Sequence, residues 1–265
     1  MAGLAQLLKV NGYDVSGSDM KEHFFTDRIL NKTGIRVRQG FSAGNLPRKE
    51  TWFISSDAYL VEPARNVEIS ALQAREIAVS SYSEAVARLF NQKFGIAVCG
   101  THGKTTTAAL LAFILEKAGK EPTALIGGEA LNWQSNVRTG KGEYFVLEAD
   151  EYREQFLNYH PQIIAVTNID YDHPDYFPDS KSYRRSFQKF TRQIKPGGKI
   201  FYGNELKYSP SQAIAGIGEL KIIGEHNLKN ALLAREVAIH LGVSEPVIRQ
   251  ALREFKGVRR RLEKL

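Results

Sequence analysis

The sequence has 265 residues, of which 43% are hydrophobic and 25% charged, as is typical of a folded protein with one large or two ordinary domains. This composition excludes disordered, collagen-like and coiled-coil chains, and the lone cysteine, Cys99, excludes an intrachain disulfide framework or a multi-cysteine zinc site. The net charge of +7 would suit nucleic acid or a phosphate-rich small substrate, but the basic residues are spread along the chain except for those at 259–261, so the charge alone does not indicate nucleic acid.

The sequence shows no sign of membrane insertion. No apolar stretch approaches the roughly 20 residues that cross a bilayer. The first residues also lack the basic region and the long apolar core of a signal peptide. We therefore predict a cytoplasmic protein that does not associate with a membrane.

Helix-like and strand-like segments alternate in the first third of the chain. We predict helices at residues 4–10 and 83–90, and strands at residues 14–18, 52–54 and 77–79. Such alternation favours βαβ units and a mostly parallel sheet. Because the chain begins on a helix, we expect the first strand of this sheet to be missing from the sequence.

A second α/β region follows, and we place the domain boundary near Asn91. We predict strands at residues 93–99, 144–147, 163–167 and 199–202, and helices after residue 103 and at 182–194 and 228–241, with a further helix starting at Ser244 and Pro246. Residues 204–220 are weakly patterned.

The segment GTHGKTTT at residues 100–107 lies between a predicted strand and a predicted helix, which is the setting of a phosphate-binding P-loop. Small residues let backbone N–H groups face the phosphates, and the helix adds the positive end of its dipole. Lys104 would bridge the β- and γ-phosphates, and the Thr105 hydroxyl would ligate Mg²⁺. Val98 stands where the usual motif has its first glycine, so this is a variant loop. The alternative is an ordinary strand-to-helix turn.

Carboxylates follow the next predicted strand. Glu148 stands at the strand end, where it would reach the same Mg²⁺, because the carboxyl ends of parallel strands share one edge of the sheet. Asp150 and Glu151 are explained equally well as acidic residues at the start of a loop or helix.

Polar residues also follow the predicted strand at residues 163–167. His173 is preceded by Asp170 and Asp172, and from the residues alone a metal-binding role and a structural role are about equally supported. At the start of a later helix, His226 or Asn227 is best explained as a helix cap. The arginines at residues 259–261 fit a solvated helix face, a phosphate clamp or a nucleic-acid patch, and the lack of interleaved aromatic residues disfavours the last.

Taken together, the segments GTHGKTTT, EADE, TNIDYDHPDYF, GEHNLKNALLA and FKGVRRRLE resemble the Mur ligases in order and spacing. These are ATP-dependent enzymes that form amide bonds in peptidoglycan precursor synthesis. The resemblance implies an α/β chain with a partial Rossmann-like UDP-substrate domain at residues 1–91. It also implies a central P-loop ATP-binding domain at residues 92–257 and a hinge at residues 258–265.

The resemblance also implies roles for individual residues. Lys104, Glu148 and His173 would be catalytic, and Thr105, Glu148 and His173 would ligate a divalent metal. The residues implied in ATP binding are Gly100, Thr101, His102, Gly103, Lys104, Thr105, Thr106, Asn168, His226, Asn227, Asn230, Arg260 and Arg261. The implied cofactors are ATP and Mg²⁺.

Within the family, the segments are most similar to the ligases that join L-alanine to UDP-N-acetylmuramate through an acyl phosphate, which makes these two compounds the expected substrates. A murein tripeptide recycling ligase is one alternative, and a nucleotide-binding remnant without catalysis is another. The family's UDP-binding Gly-rich loop and its amino-acid-binding third domain are not found in these 265 residues. We therefore expect no amide synthesis from this chain alone.

Overall fold

The computed structural model describes residues 1–22, 25–47, 50–206 and 224–259. The chain divides into two compact units: unit 1 comprises Met1–Arg88, and unit 2 begins at Leu89. No helix in these described ranges combines the length and apolar character needed to cross a bilayer. The domain bounds proposed from the sequence stay a prediction.

Unit 1 alternates helices and short strands. Its helices are α1 (Ala2–Val10), α2 (Phe25–Lys32), α3 (Asp57–Val61) and α4 (Val67–Ala74), and α5 (Tyr82–Phe90) leads into unit 2. Its strands are β1 (Ser16–Asp19), β2 (Arg36–Gln39), β3 (Phe53–Ser55) and β4 (Val79–Ser81). β1 pairs with β2 and β3 with β4, both in parallel, in two separate two-stranded sheets. The predicted alternation is confirmed. β2 was not predicted, since its sequence RVRQ has too few apolar residues to show a strand pattern.

A buried carboxylate joins the loops of unit 1 to α4. Glu68 accepts hydrogen bonds from the Ser18 hydroxyl at 2.8 Å, the Ser42 N–H at 3.0 Å and the Asn45 side chain at 2.7 Å. Asn66 caps α4 by accepting from the N–H groups of Glu68 and Ile69. Glu68 is buried, and these bonds replace the water that its charge loses.

Unit 2 is built on a mostly parallel sheet. Its strands are β5 (Phe94–Cys99), β6 (Thr123–Ala130), β7 (Ser135–Arg138), β8 (Tyr144–Glu148), β9 (Ile163–Val166), β10 (Lys199–Tyr202) and β11 (Val258–Arg259). The order is β10-β9-β5-β8-β6-β11, and β7 also pairs with β6. The first five strands in this order run parallel, whereas β7 and β11 run antiparallel to β6.

The helices of unit 2 are α6 (Lys104–Lys117), α7 (Ser180–Thr191), α8 (Glu225–His240) and α9 (Glu245–Glu254). Residues 107–115 of α6 are all buried, because this helix packs among the sheet, α8 and α9. Alternate residues of the central strands, such as Val98 and Val146, join this core. A separate aromatic group holds α7, where Phe187 and Phe190 pack on Phe156 with ring centroids 5.3 and 4.5 Å apart.

The predicted elements of unit 2 are found with shifted ends. α7 begins two residues earlier than predicted, because Asp179 forms a capping box with Ser182. β6 and β7 were not predicted, since Gly127 and Gly128 interrupt the apolar pattern of β6 and since β7 is short and polar. From residue 207 onward, the weakly patterned segment lies outside the described residues.

We expect Leu111→Ala to lower the free energy of unfolding of unit 2 by about 2–5 kcal/mol, because Leu111 is fully buried in the core that α6 shares with the sheet, α8 and α9. Ile239→Ala is the control: Ile239 is 38% exposed, so we expect a change below about 0.5 kcal/mol. A Trp52→Phe background leaves Trp133 as the only tryptophan, and its fluorescence during urea unfolding reports on unit 2. Equal losses for the two variants would contradict the described core.

Candidate active site

The candidate site lies at the carboxyl ends of three neighbouring strands. β5 is flanked by β8 on one side and β9 on the other, and all three run parallel, as the sequence predicted. The segments that follow Cys99, Glu148 and Val166 therefore leave from the same edge of the sheet, which is where open α/β sheets bind ligands. Cys99 is fully buried; burial raises the pKa of its thiol, and the nearby Glu151 charge raises it further.

Two glycines shape the loop between β5 and α6. Gly100 has φ +129°, and a Cβ there would overlap the Thr167 hydroxyl and the Asn168 backbone. Gly103, with φ +84°, is the N-cap of α6, and a Cβ there would overlap the side-chain amide of Asn230. A side chain at either position would meet both a strained backbone and a neighbour, so the loop can follow this path only with glycine.

Asn168 fastens this loop to the end of β9. Its side-chain oxygen accepts from the His102 N–H at 3.1 Å, and its side-chain nitrogen donates to the His102 carbonyl at 2.9 Å. The Asn168 carbonyl accepts from the Thr101 N–H at 3.1 Å. The implied position of Asn168 beside the loop agrees with these contacts, although its role in nucleotide binding stays a prediction.

Lys104 forms a buried ion pair with Glu151. The lysine Nζ lies 2.8 and 3.0 Å from the two carboxylate oxygens, and it also donates to the Gly100 carbonyl at 2.6 Å and the Thr101 carbonyl at 3.3 Å. The lysine side chain is 14% exposed and that of Glu151 is 0% exposed. Burial lowers the pKa of Lys104, but the charge and hydrogen bonds of Glu151 outweigh this, so the pKa is raised and the ammonium stays protonated. Burial raises the pKa of Glu151, and Lys104 opposes that shift.

Glu151 is held from its other side by α7. The Tyr183 hydroxyl donates to Glu151 Oε1 at 3.3 Å and lies 2.9 Å from the Thr101 hydroxyl oxygen. The Thr101 hydroxyl donates to the Asp170 carbonyl at 2.6 Å and accepts from the Asp170 N–H at 2.9 Å. Burial raises the pKa of the Tyr183 phenol, and the charge of the nearby Glu151 raises it further. Glu151 was missing from the site residues proposed from the sequence, although the run of three carboxylates at Glu148, Asp150 and Glu151 was a signal for it.

Glu148 and Thr105 face each other across the sheet edge. The Thr105 hydroxyl donates to Glu148 Oε1 at 2.9 Å, and the Gly127 N–H donates to Oε2. A Cβ at Gly127 would lie 2.7 Å from both carboxylate oxygens, so the close approach of β6 depends on that glycine. A hydroxyl and a carboxylate side by side are the oxygen donors that Mg²⁺ prefers.

His173 lies with a different group of carboxylates. Its Nε2 is 3.7 Å from Glu151 Oε1, and ligand atoms of Asp150, Glu151 and His173 all lie within 4.8 Å of one another. The residue has φ +56°, an unusual conformation for a residue other than glycine. Tyr152 packs its ring 4.7 Å from the imidazole. Thr105 and Glu148 thus form one pair and His173 belongs to a neighbouring group, and the metal set proposed from the sequence stays a prediction.

The remaining proposed residues lie at helix starts or outside the described chain. Thr106 is in the first turn of α6, and His226, Asn227 and Asn230 belong to α8, where Asn230 approaches Gly103. The expectation that His226 or Asn227 caps this helix is wrong, because the N-cap is Gly224, whose φ of +116° turns the chain into α8. Arg260 and Arg261 lie outside the described residues.

Comparison with known sequences identifies relatives for nearly the whole chain. The family model described as "Mur ligase family, catalytic domain" matches residues 1–94, and that of the "Mur ligase middle domain" matches residues 98–216. UDP-N-acetylmuramate–L-alanine ligases of Syntrophomonas wolfei and Carboxydothermus hydrogenoformans are 32% and 35% identical over 99% of this chain. The chain spans 65% and 64% of their respective lengths, which is just under two thirds.

Solved structures of two kinds of Mur ligase share the fold. UDP-N-acetylmuramate:L-alanyl-γ-D-glutamyl-meso-diaminopimelate ligase from Neisseria superposes with a TM-score of 0.83 at 27% identity, covering 98% of this chain and 96% of that one. UDP-N-acetylmuramate–alanine ligase from Thermotoga maritima gives a TM-score of 0.82 at 26% identity, covering 99% of this chain and 67% of that one. These neighbours confirm the fold class predicted from the sequence.

We expect Gly103→Ala to destabilise unit 2 more than Gly242→Ala does. Both glycines have positive φ, +84° and +74°, so each alanine costs about 1–2 kcal/mol of backbone strain. Only the Gly103 variant must also displace the Asn230 side chain, because nothing lies within 4 Å of a Cβ at Gly242. Urea unfolding of the two variants measures the difference, and equal losses would show that Asn230 does not pack on the loop.

Proposed function

Because the chain belongs to the Mur ligase family, we propose that it carries the ATP-binding part of a ligase that joins L-alanine to UDP-N-acetylmuramate. The observation that most supports this is the glycine-shaped loop at the start of α6, which holds the charged Lys104 at the edge of a parallel sheet. In this proposal, residues 1–91 belong to the UDP-substrate domain, residues 92–257 form the central domain and residues 258–265 lead to a third domain.

The loop residues fit the phosphates of ATP. Gly100 and Gly103 keep side chains away from the loop backbone, and the N–H groups in the first turn of α6, together with the helix dipole, suit a phosphate. The N–H groups of Thr101 and His102 already donate to Asn168. Lys104 would neutralise charge on the β- and γ-phosphates, and Thr101, His102, Thr106 and Asn168 would complete the loop's side of the site. We propose His226, Asn227 and Asn230 at the start of α8, together with Arg260 and Arg261, for the rest of the nucleotide.

The oxygen donors at the strand ends fit Mg²⁺. Thr105 and Glu148 already lie within hydrogen-bond distance of each other, and both are hard oxygen ligands. We propose them as ligands together with His173, which follows the neighbouring strand β9. Bound Mg²⁺ would supply positive charge beside the transferred phosphoryl group.

In the proposed reaction, a carboxylate oxygen of UDP-N-acetylmuramate attacks the γ-phosphorus of ATP, and ADP leaves with the electrons of the broken P–O bond. The amine of L-alanine then attacks the acyl phosphate, losing a proton to solvent as phosphate departs and the amide forms. Lys104 and the loop N–H groups stabilise the charge that develops during phosphoryl transfer, which is the main task of such sites. Both proposed co-substrates, ATP and a nucleotide sugar, suit a cytoplasmic enzyme.

A ligase that joins a murein tripeptide to UDP-N-acetylmuramate is the second candidate. The TM-score of 0.83 with the tripeptide ligase from Neisseria supports it as well as 0.82 supports the alanine ligase. The curated alanine ligases, at 32–35% identity over 99% of the chain, favour the first candidate. A remnant that binds ATP without catalysis is the third possibility.

We expect Lys104→Met to weaken binding of MgATP by a factor of at least about ten, because it removes an ammonium from beside the β- and γ-phosphates. Since the change also strands the buried charge of Glu151, binding is measured at a temperature where the variant remains folded. Lys189→Met is the control, since Lys189 is 52% exposed and pairs with Glu154 on the surface. Titration calorimetry on the folded proteins measures both affinities. If both variants bind MgATP as the original chain does, the loop is not a phosphate site.

The choice of substrate is tested on a completed enzyme, in which this chain is joined to the UDP-binding loop and third domain of an alanine-ligase relative and, separately, of a tripeptide-ligase relative. If this chain belongs to an alanine ligase, only the first chimera should release phosphate from ATP and form product, with L-alanine. Product from the second chimera alone would favour the tripeptide ligase. Nucleotide binding without product from either would favour the remnant.

A further inference from the structure

Glu151 is a fully buried carboxylate whose charge depends on Lys104. Among the described residues, Lys104 has the only ammonium or guanidinium group within 4.0 Å of it, and the nearest imidazole nitrogen, that of His173, is 3.7 Å away. An unpaired buried carboxylate is strongly destabilising. The lysine is therefore bound to this partner before any phosphate arrives.

The ammonium of Lys104 has no hydrogen-bonding capacity to spare. It has three N–H donors, and four oxygens lie within 3.3 Å of it: two of Glu151 and the carbonyls of Gly100 and Thr101. A phosphate oxygen can reach Nζ only by replacing one of these acceptors. The loop carbonyls are fixed by the backbone, and the carboxylate carries the charge, so the phosphate and Glu151 compete for the same cation.

Glu151 cannot move aside to relieve this competition. Its side chain is completely buried, and the Tyr183 hydroxyl donates to it from α7. Tyr183 in turn lies 2.9 Å from the hydroxyl of Thr101, which both donates to and accepts from the Asp170 backbone. The carboxylate therefore keeps its place whether or not Lys104 turns toward a ligand.

We propose that Glu151 is a positioning residue that holds Lys104 in the loop and shares its charge with the phosphates of a bound nucleotide. This inference rests on the proposed nucleotide binding. The carboxylate keeps the lysine ordered in the empty loop, and it weakens the attraction of the lysine for the β- and γ-phosphates. It thereby limits how tightly ATP and the product ADP are held, so that product can leave.

The test compares nucleotides that do and do not reach Lys104. Glu151→Gln keeps the shape of the side chain and removes its charge, so we expect MgATP to bind about tenfold more tightly. AMP lacks the β- and γ-phosphates, and its affinity should stay unchanged. Glu154→Gln is the matched control on the same segment, since Glu154 pairs with the surface residue Lys189. Titration calorimetry without other substrates gives all the affinities.

A purely structural role for Glu151 would change the affinities for MgATP and AMP by the same factor, and that result would overturn the inference. Unchanged or weaker MgATP binding by Glu151→Gln would overturn it as well. Failure of the original chain to bind any nucleotide would instead remove the proposed function.

A thermal-denaturation cycle tests the ion pair without nucleotide. Lys104→Met alone should lower the melting temperature strongly, because it strands the Glu151 charge. The double variant Lys104→Met with Glu151→Gln should recover most of that loss. Additive shifts in the cycle would show that Glu151 does not hold Lys104, and they would overturn the inference independently of any ligand.

Discussion

The parallel pairing of β5 with both β8 and β9 is the constraint on which the site depends. Side-chain direction alternates along a strand, so this register sends one set of residues into the core around α6 and ends all three strands at one edge. The loop, the acidic segment and the His173 segment begin at that edge. They meet because their strands are neighbours, although up to about 70 residues separate them in sequence.

The site is assembled from charges that water would otherwise solvate. Lys104 and Glu151 pair with each other and are held by further hydrogen bonds, and Glu148 is held by Thr105 and the β6 backbone. Such arrangements stabilise a fold only when each charge keeps its partner. Gly103 and Gly127 contribute to these contacts, because each lets a neighbouring polar side chain, Asn230 or Glu148, approach the backbone closely. Stability and chemistry therefore depend on the same contacts.

The sequence predicted those parts of the fold whose signals are local. Apolar runs located β5, β8 and β9, and the Gly- and Thr-rich segment located the loop. Glu151 was not singled out, because its pairing with Lys104 depends on how β5 and β8 are aligned, and the residues EADE alone also fit a loop. The cap expected at His226 or Asn227 failed for a related reason: whether a residue caps a helix depends on where the helix begins, and Gly224 with its positive φ takes that position. β6 escaped prediction because Gly127, which makes room for Glu148, and the adjacent Gly128 break the apolar pattern of the strand.

Cys99, the only thiol of the chain, ends the central strand immediately before the loop. It is fully buried and the pKa of its thiol is raised, so neither access nor ionisation favours its reaction in the folded protein. Alkylation of Cys99 therefore requires local opening of the structure around the end of β5. The rate of alkylation then depends on how often this opening occurs. Because Cys99 directly precedes the loop, its rate of alkylation reports on local opening of the loop, and a phosphate bound there would lower that rate.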